Sequence, residues 1–189
     1  MRKSSAQELT PAVQDYVKAI YALESAGKKP TTSALAERMG VSAPSAVAMA
    51  KRLAELGLLQ RAPYRAFALT ARGRKVALEM LRHHRLIERL LVERLGYSLD
   101  AVHAEAELLE HALSEELEAH IDAQLGFPTH DPHGDPIPDA KLRVDRTPSR
   151  SLLELALAER ATVARVPDGD AELLRYLEEL RSFPERTWS

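Results

Sequence analysis

Between His103 and His111 the chain reads His-Ala-Glu-Ala-Glu-Leu-Leu-Glu-His. An α-helix advances about 100° per residue. Offsets of 0, 4, 7 and 8 then bring His103, Glu107, Glu110 and His111 into roughly a 100° arc of one helix face. Two imidazoles and two carboxylates on one stripe can converge on a divalent cation. A second pair, His84 and Glu88, stands at i, i+4 on the preceding helical stretch. All these candidates offer oxygen or imidazole nitrogen, and the chain has no cysteine. Such a set suits Mn²⁺, Fe²⁺, Co²⁺ or Zn²⁺, whereas softer ligands select copper or thiolate zinc. A solvated charged face has the same spacing, with Leu108, Leu109, Ala112 and Leu113 packing on the other arcs. The spacing alone leaves both readings open.

Helices must position these residues, and the composition favours helices. Of 189 residues, 45% are hydrophobic, 29% charged and only 5% aromatic. Ala and Leu dominate, and both are strong helix formers. Thr10-Pro11 opens a first helix with its apolar stripe on Val13, Tyr16, Val17, Ile20, Tyr21 and Leu23, ending before Gly27. A second runs over 32–39 and stops at Gly40. Ser42 caps a third, with Pro44 in its first turn and Val47, Ala50, Leu53 and Leu56 predicted to face inward. Two short strands follow, 58–60 and 67–69, joined by the basic connection Arg61-Ala-Pro-Tyr-Arg65-Ala. Thr70 caps a long helix to Leu95. Another is predicted from Leu99 to Leu113, and one more from Ser114 to Leu125. Residues 127–139 carry four prolines and no period, so they read as a loop. In this reading His120, His130 and His133 are loop or surface residues. The tail has a strand candidate at 161–166 and a helix from Ala171 to Leu180.

The net charge of −2 conceals an asymmetry. Residues 1–75 hold 13 Lys/Arg against 5 Asp/Glu, and the remainder holds 13 against 23. A basic N-terminal part is what a polyanion-binding module needs, because affinity for DNA rests largely on phosphate neutralisation. Two short helices joined by a tight turn and followed by a two-stranded ribbon is the order of a winged helix-turn-helix, in which the second helix reads the major groove. Here its first turn is Ser42, Ala43, Pro44 and Ser45, small enough for close approach. Lys51 and Arg52 lie further along, and Arg61 and Arg65 sit on the wing. Helix capping explains Ser42 and Pro44 equally well in isolation.

These segments together resemble the diphtheria toxin repressor family of metal-dependent transcriptional regulators. The resemblance runs from about residue 9 to 139. It is carried by Asp15-Tyr16 with Ile20-Tyr21, by His84-Arg-Leu-Ile-Glu88-Arg-Leu-Leu, by the His103-to-His111 stretch, and by His133-Gly-Asp-Pro-Ile-Pro138. It implies a primary metal site on Asp15, Glu107, Glu110 and His111, and an ancillary site on His84, Glu88 and His103. The iron-responsive branch has sulfur-containing residues at the places of Asp15 and Glu107. Carboxylates there match the manganese-responsive branch, so Mn²⁺ is the expected cofactor and Fe²⁺ the second. Lys18 stands where that branch has a glutamate, while Glu88 and His103 follow the iron branch, so the pattern is hybrid. Residues 151–180 resemble the opening of a small SH3-like domain without its closing strands.

The expected architecture is therefore mostly α: a winged helix-turn-helix over 1–74, an all-helical dimerisation and metal-binding domain over 75–140, and a linker with a truncated SH3-like remnant over 141–189. The expected function is a metal-activated repressor controlling manganese and iron homeostasis, binding a palindromic double-stranded DNA operator as a homodimer. The N-terminus shows no apolar signal stretch and no run long enough for a membrane span, so the expected location is the cytoplasm. A winged-helix regulator that ignores metal is the alternative. A metallohydrolase is a weaker one, since no nucleophile motif or Gly-rich phosphate loop is present, and an enzyme is not expected.

Overall fold

A computed structural model describes residues 9–61, 66–145, 148–180 and Pro184. Arg65 lies outside the described residues. The chain divides into two compact units, one ending at Leu81 and the other beginning at Arg82. The boundary falls inside the longest helix.

The first unit is built from helices α1 (Pro11–Ser25), α2 (Thr32–Met39) and α3 (Ala43–Glu55), strands β1 (Leu59–Arg61) and β2 (Phe67–Leu69), and the start of α4 (Ala71–Leu95). Each short helix has a local reason to begin where it does. Thr31 Oγ1 accepts from Ala34 N at 3.2 Å, and Ser42 Oγ accepts from Ser45 N at 3.3 Å. These bonds satisfy backbone donors that a first turn leaves open. Gly40 ends α2 at φ 62, a left-handed conformation that glycine adopts without a Cβ penalty. Three residues then separate α2 from α3, the tight turn of a helix-turn-helix. The strands pair antiparallel, Leu59 opposite Leu69 and Arg61 opposite Phe67.

Ile20, Leu35, Leu53 and Leu58 are fully buried in this unit and pack with Val17, Val76 and Ala77. Each such side chain contributes about 1.5–3 kcal/mol by leaving water. Val47 departs from expectation. It is 54% exposed, and Ala46, Ala50 and Leu53 form the buried face of α3. Offsets of 0, 4 and 7 make the tighter stripe, which leaves Val47 outside it. Glu24 ties the ribbon to α1: it accepts from Leu69 N at 3.0 Å and from Arg74 at 2.6 Å.

The second unit comprises the rest of α4, α5 (Leu99–Leu109), α6 (Glu115–Gln124), the 127–139 loop and the tail with α7 (Ala171–Glu179). Leu86, Leu91, Leu99, Val102, Ala106, Ile121 and Ile137 form its apolar core. Arg82, only 4% exposed, bridges α4 to α6 and the loop. It donates to Glu118, to Asp122 at 2.6 Å and to the Pro138 carbonyl at 2.8 Å.

The tail corrects one expectation. No strand forms over 161–166, yet the segment docks in register. Val166 N donates to the His133 carbonyl at 2.9 Å, and Arg165 reaches Asp135 at 3.1 Å. Gly134 adopts φ +90, and a Cβ there would come within 2.0 Å of the Ala164 carbonyl oxygen. Further on, α7 packs against α5 and buries Leu174. Among the described residues no helix is long and apolar enough to cross a membrane.

Candidate metal centre

α4 presents His84 and Glu88 one turn apart, and α5 presents His103 and Glu107 in the same way. The expected continuation of α5 to Leu113 does not form. After Leu109 the chain tightens into a 3₁₀ turn over Glu110–Ala112. Such a turn has about 3.0 residues per turn and so rotates each residue further than an α-helix. Glu110, four residues after the buried Ala106, is 1% exposed, while Glu107 stays exposed. His103 Nε2 lies 3.9 Å from Glu107 Oε1, one turn along the same stripe.

His84, 4% exposed, links the parts of the cluster. Its Nδ1 lies 2.6 Å from Glu110 Oε2, and its Nε2 lies 3.0 Å from Glu88 Oε1. Carboxylate oxygens only accept, so both ring nitrogens hold protons in this arrangement. Burial works against the charged ring, but the bonds from Glu110 and Glu88 outweigh it and push His84 up to about 9. Burial likewise opposes the Glu88 carboxylate, and contacts from His103, His133 and His84 hold it well below the usual carboxylate range.

His84 Nε2, His103 Nδ1 and Glu88 Oε1 form a triangle with sides of 3.0, 3.1 and 3.2 Å. Metal–ligand bonds of about 2.0–2.2 Å place neighbouring octahedral donors about 3 Å apart. The triangle therefore has the edge lengths of a coordination sphere, and its donors suit a borderline-hard divalent cation. The two rings meet edge to face, with centroids 4.8 Å apart. His84, Glu107 and Glu110 also offer ligand atoms within 4.8 Å of one another. His111 Nε2 lies 3.8 Å from Glu110 Oε1. Asp15 sits half-buried on α1 in the first unit.

Two groups of interior residues carry no local spacing signal. His133, read from sequence as a loop or surface residue, is fully buried. Its Nδ1 faces Glu88 Oε2 at 3.6 Å, and its Nε2 donates to the Leu99 carbonyl at 3.2 Å. Burial opposes its charge, but Glu88 and Asp131 push it up to about 9. Asp131 accepts from His133 N and Asp135 N, both at 2.9 Å. Burial and the neighbouring Glu88 carboxylate raise Asp131 to about 7, against the pull of Arg85. His83 is buried as well. Its Nδ1 donates to the Glu110 carbonyl at 3.2 Å, and its Nε2 meets Glu118 at 2.8 Å. The only sequence hints of this shell were the His83-His84 doublet and the Pro-rich His133 segment.

The residues expected to read DNA fall on the first unit's surface. Ser42, Ala43, Pro44, Ser45, Lys51, Arg52 and Arg61 are all exposed. Ser42 Oγ and Ser45 Oγ lie 2.8 Å apart, so each hydroxyl has a partner in the free protein. Lys51 meets Glu55 at 4.0 Å, an open surface pair.

Comparisons with known proteins match both units. The N-terminal DNA binding domain of iron dependent repressors matches residues 8–67, and the metal binding and dimerisation domain of the same family matches residues 70–139. The iron-dependent repressor IdeR of Mycobacterium tuberculosis is 40% identical over 131 residues, which is 69% of this chain and 57% of that protein. A manganese-dependent transcriptional repressor solved in complex with manganese superposes with a TM-score of 0.85 at 47% identity, covering 91% of this chain and 79% of that one. The manganese regulator SloR superposes with a TM-score of 0.77 at 33% identity, covering 93% and 81%. The chain thus spans little more than half the length of the curated relative.

Proposed function

This chain belongs to the iron-dependent repressor family, and from that premise we propose that it is a metal-activated DNA-binding repressor of manganese and iron homeostasis. The observation that carries the reading is the convergence of His84, Glu88 and His103 at the edge lengths of a coordination sphere. Mn²⁺ is the proposed cofactor, with Fe²⁺ second. The donor set holds no sulfur, and a 47% identical relative was solved with manganese.

His84, Glu88 and His103 are proposed as the ancillary ligands. Asp15, Glu107, Glu110 and His111 are proposed as the primary set, following the family resemblance. When bound, a divalent cation supplies the positive charge that neutralises these carboxylates. Glu110 keeps a proton on His84 Nδ1, so the ring coordinates through Nε2 once its second proton leaves. In the proposed division of labour, residues 1–74 read DNA, residues 75–140 dimerise and bind metal, and residues 141–189 form the tail. Asp15 lies in the first of these parts and its partner ligands in the second, so metal and operator binding are coupled.

Reading is assigned to Ser42, Ala43, Pro44 and Ser45, with Lys51, Arg52, Arg61 and Arg65 toward phosphates. The homodimer draws support from leucines left in solvent: Leu108 is 75% exposed, Leu95 64%, Leu117 51% and Leu109 42%. A two-fold dimer calls for a palindromic operator. The role requires no catalytic step and places the protein with the chromosome in the cytoplasm.

The test is a binding titration on a duplex selected from a random-sequence pool, with Mn²⁺ and with chelator. A coupling of about 1–3 kcal/mol makes operator affinity roughly 5–150-fold higher with metal. Glu110→Gln and His111→Ala remove that difference while the fold remains. Equal affinity in both conditions for the unaltered chain rejects the proposal, and a metal-independent regulator then stands.

A further inference from the structure

Glu88 is completely buried, and its two oxygens have different surroundings. Oε1 faces His84 and His103. Oε2 has no hydrogen-bond partner, and neither has His133 Nδ1, the atom it meets at 3.6 Å. A carboxylate torsion is broad and roughly two-fold, so one fixed oxygen decides where the other points. The His133 ring is itself fixed. Its Nε2 donates to the Leu99 carbonyl at 3.2 Å, its backbone N donates to Asp131 at 2.9 Å, and its carbonyl accepts from Val166 N at 2.9 Å.

Resting on the metal reading above, we propose that His133 is a positioning residue for the ancillary centre, holding Glu88 Oε2 so that Oε1 stays aimed between His84 and His103. Glu88, Asp131 and His133 do not make a separate cation site. Asp131 Oδ1 is taken by two backbone N–H groups, and Oδ2 lies 3.4 Å from the Arg85 guanidinium, which would repel a cation there. A partner that orients a ligating group is worth about 10–100-fold in metal affinity.

Two substitutions separate positioning from simple packing. Asn at this place puts its amide nitrogen where Nδ1 stood and keeps an N–H group facing Glu88 Oε2. Gln puts its nitrogen where Nε2 stood and keeps the donor to Leu99. Mn²⁺ titrations of the full chain followed by electron paramagnetic resonance give the affinity of each class of site, and Glu88→Gln identifies the ancillary class. His133→Gln weakens that class by about 10–100-fold and leaves the other class unchanged, whereas His133→Asn stays near the unaltered protein. Equal weakening by both variants, the reverse order, or no loss in His133→Gln overturns the proposal. Val166→Pro removes the amide that holds the His133 carbonyl and leaves the ring and ligands intact. It weakens the same class, and an unchanged class there overturns the proposal even if the His133 variants fail to fold. Absence of any Mn²⁺ binding by the unaltered chain sinks the metal reading as well. Binding with an unaffected His133→Gln sinks only the role of His133.

Discussion

The two units hide different things. The first buries chiefly apolar side chains, Ile20, Leu35, Leu53 and Leu58 among them, with Gln14 and Glu79 its buried polar ones. The second buries Glu88, Glu110, His83, His84, His133 and Arg82 beside its leucines. An apolar interior depends only indirectly on the ionic setting, because its driving force is area removed from water. An interior of alternating carboxylates and imidazoles is stable only while every charge has its counterpart. The second interior is thus the one whose stability responds to protons. His133, Glu88, His84, Glu110 and His111 run in alternation through the second unit, so removing one member exposes the charges of its neighbours.

Four measurements break or sharpen this contrast. The largest effect is expected from Glu88→Ala, which leaves His84 and His133 facing an empty place. Urea unfolding at pH 7 in chelator should show a loss of about 3–5 kcal/mol, and a value near zero would mean the imidazoles do not depend on it. Leu53→Ala in the first unit should cost about 2–5 kcal/mol by opening a cavity. That loss should be the same in Mn²⁺ and in chelator. If Mn²⁺ restored it, the distinction between the units would be gone.

Third is pH. His84 and His133 sit at about 9 in the fold, above the ordinary value of 6.5. Their contribution is complete below pH 6.5 and is lost as pH rises through 9. Asp131, raised to about 7 from 3.8, acts in the same direction over a lower range. Glu88 acts oppositely, and its contribution fades only on acidification. Metal-free stability should therefore fall between pH 6.5 and 9.5, by at most about 1.4 kcal/mol per pH unit for each group. A flat urea midpoint over that range contradicts the charged interior. The smallest effect belongs to Val47→Ala. An exposed residue away from caps and cores shifts stability by no more than about 0.5 kcal/mol, and a larger loss in thermal unfolding would place Val47 in the core after all.

The first unit was largely legible because its signals are local. Ser42 caps where a cap is expected, Gly40 and Gly57 take positive φ, and the apolar period marks α1 to α3. Val47 was misplaced because two stripes of similar period compete on α3, and only packing chooses between them. In the second unit the ligand-type residues of α4 and α5 were legible from i, i+4 spacing. The 3₁₀ turn at Glu110 was not, since nothing in Glu-His-Ala forbids another α turn. His133 was missed for a different reason. Its partners Glu88 and Leu99 lie 45 and 34 positions away, and no period reports a contact of that kind. The docking of residues 164–166 is invisible for the same reason.

The strap formed by Ala164, Arg165 and Val166 over the His133–Asp135 loop also has a bearing on synthesis. A ribosome adding about 5–20 residues per second releases the loop about 2–7 seconds before the residues that fasten it. During that interval the nascent chain already carries His84, Glu88 and His103, but the loop beneath them is untied. The residues that fasten the loop are therefore synthesised well after the helices that supply the ligands.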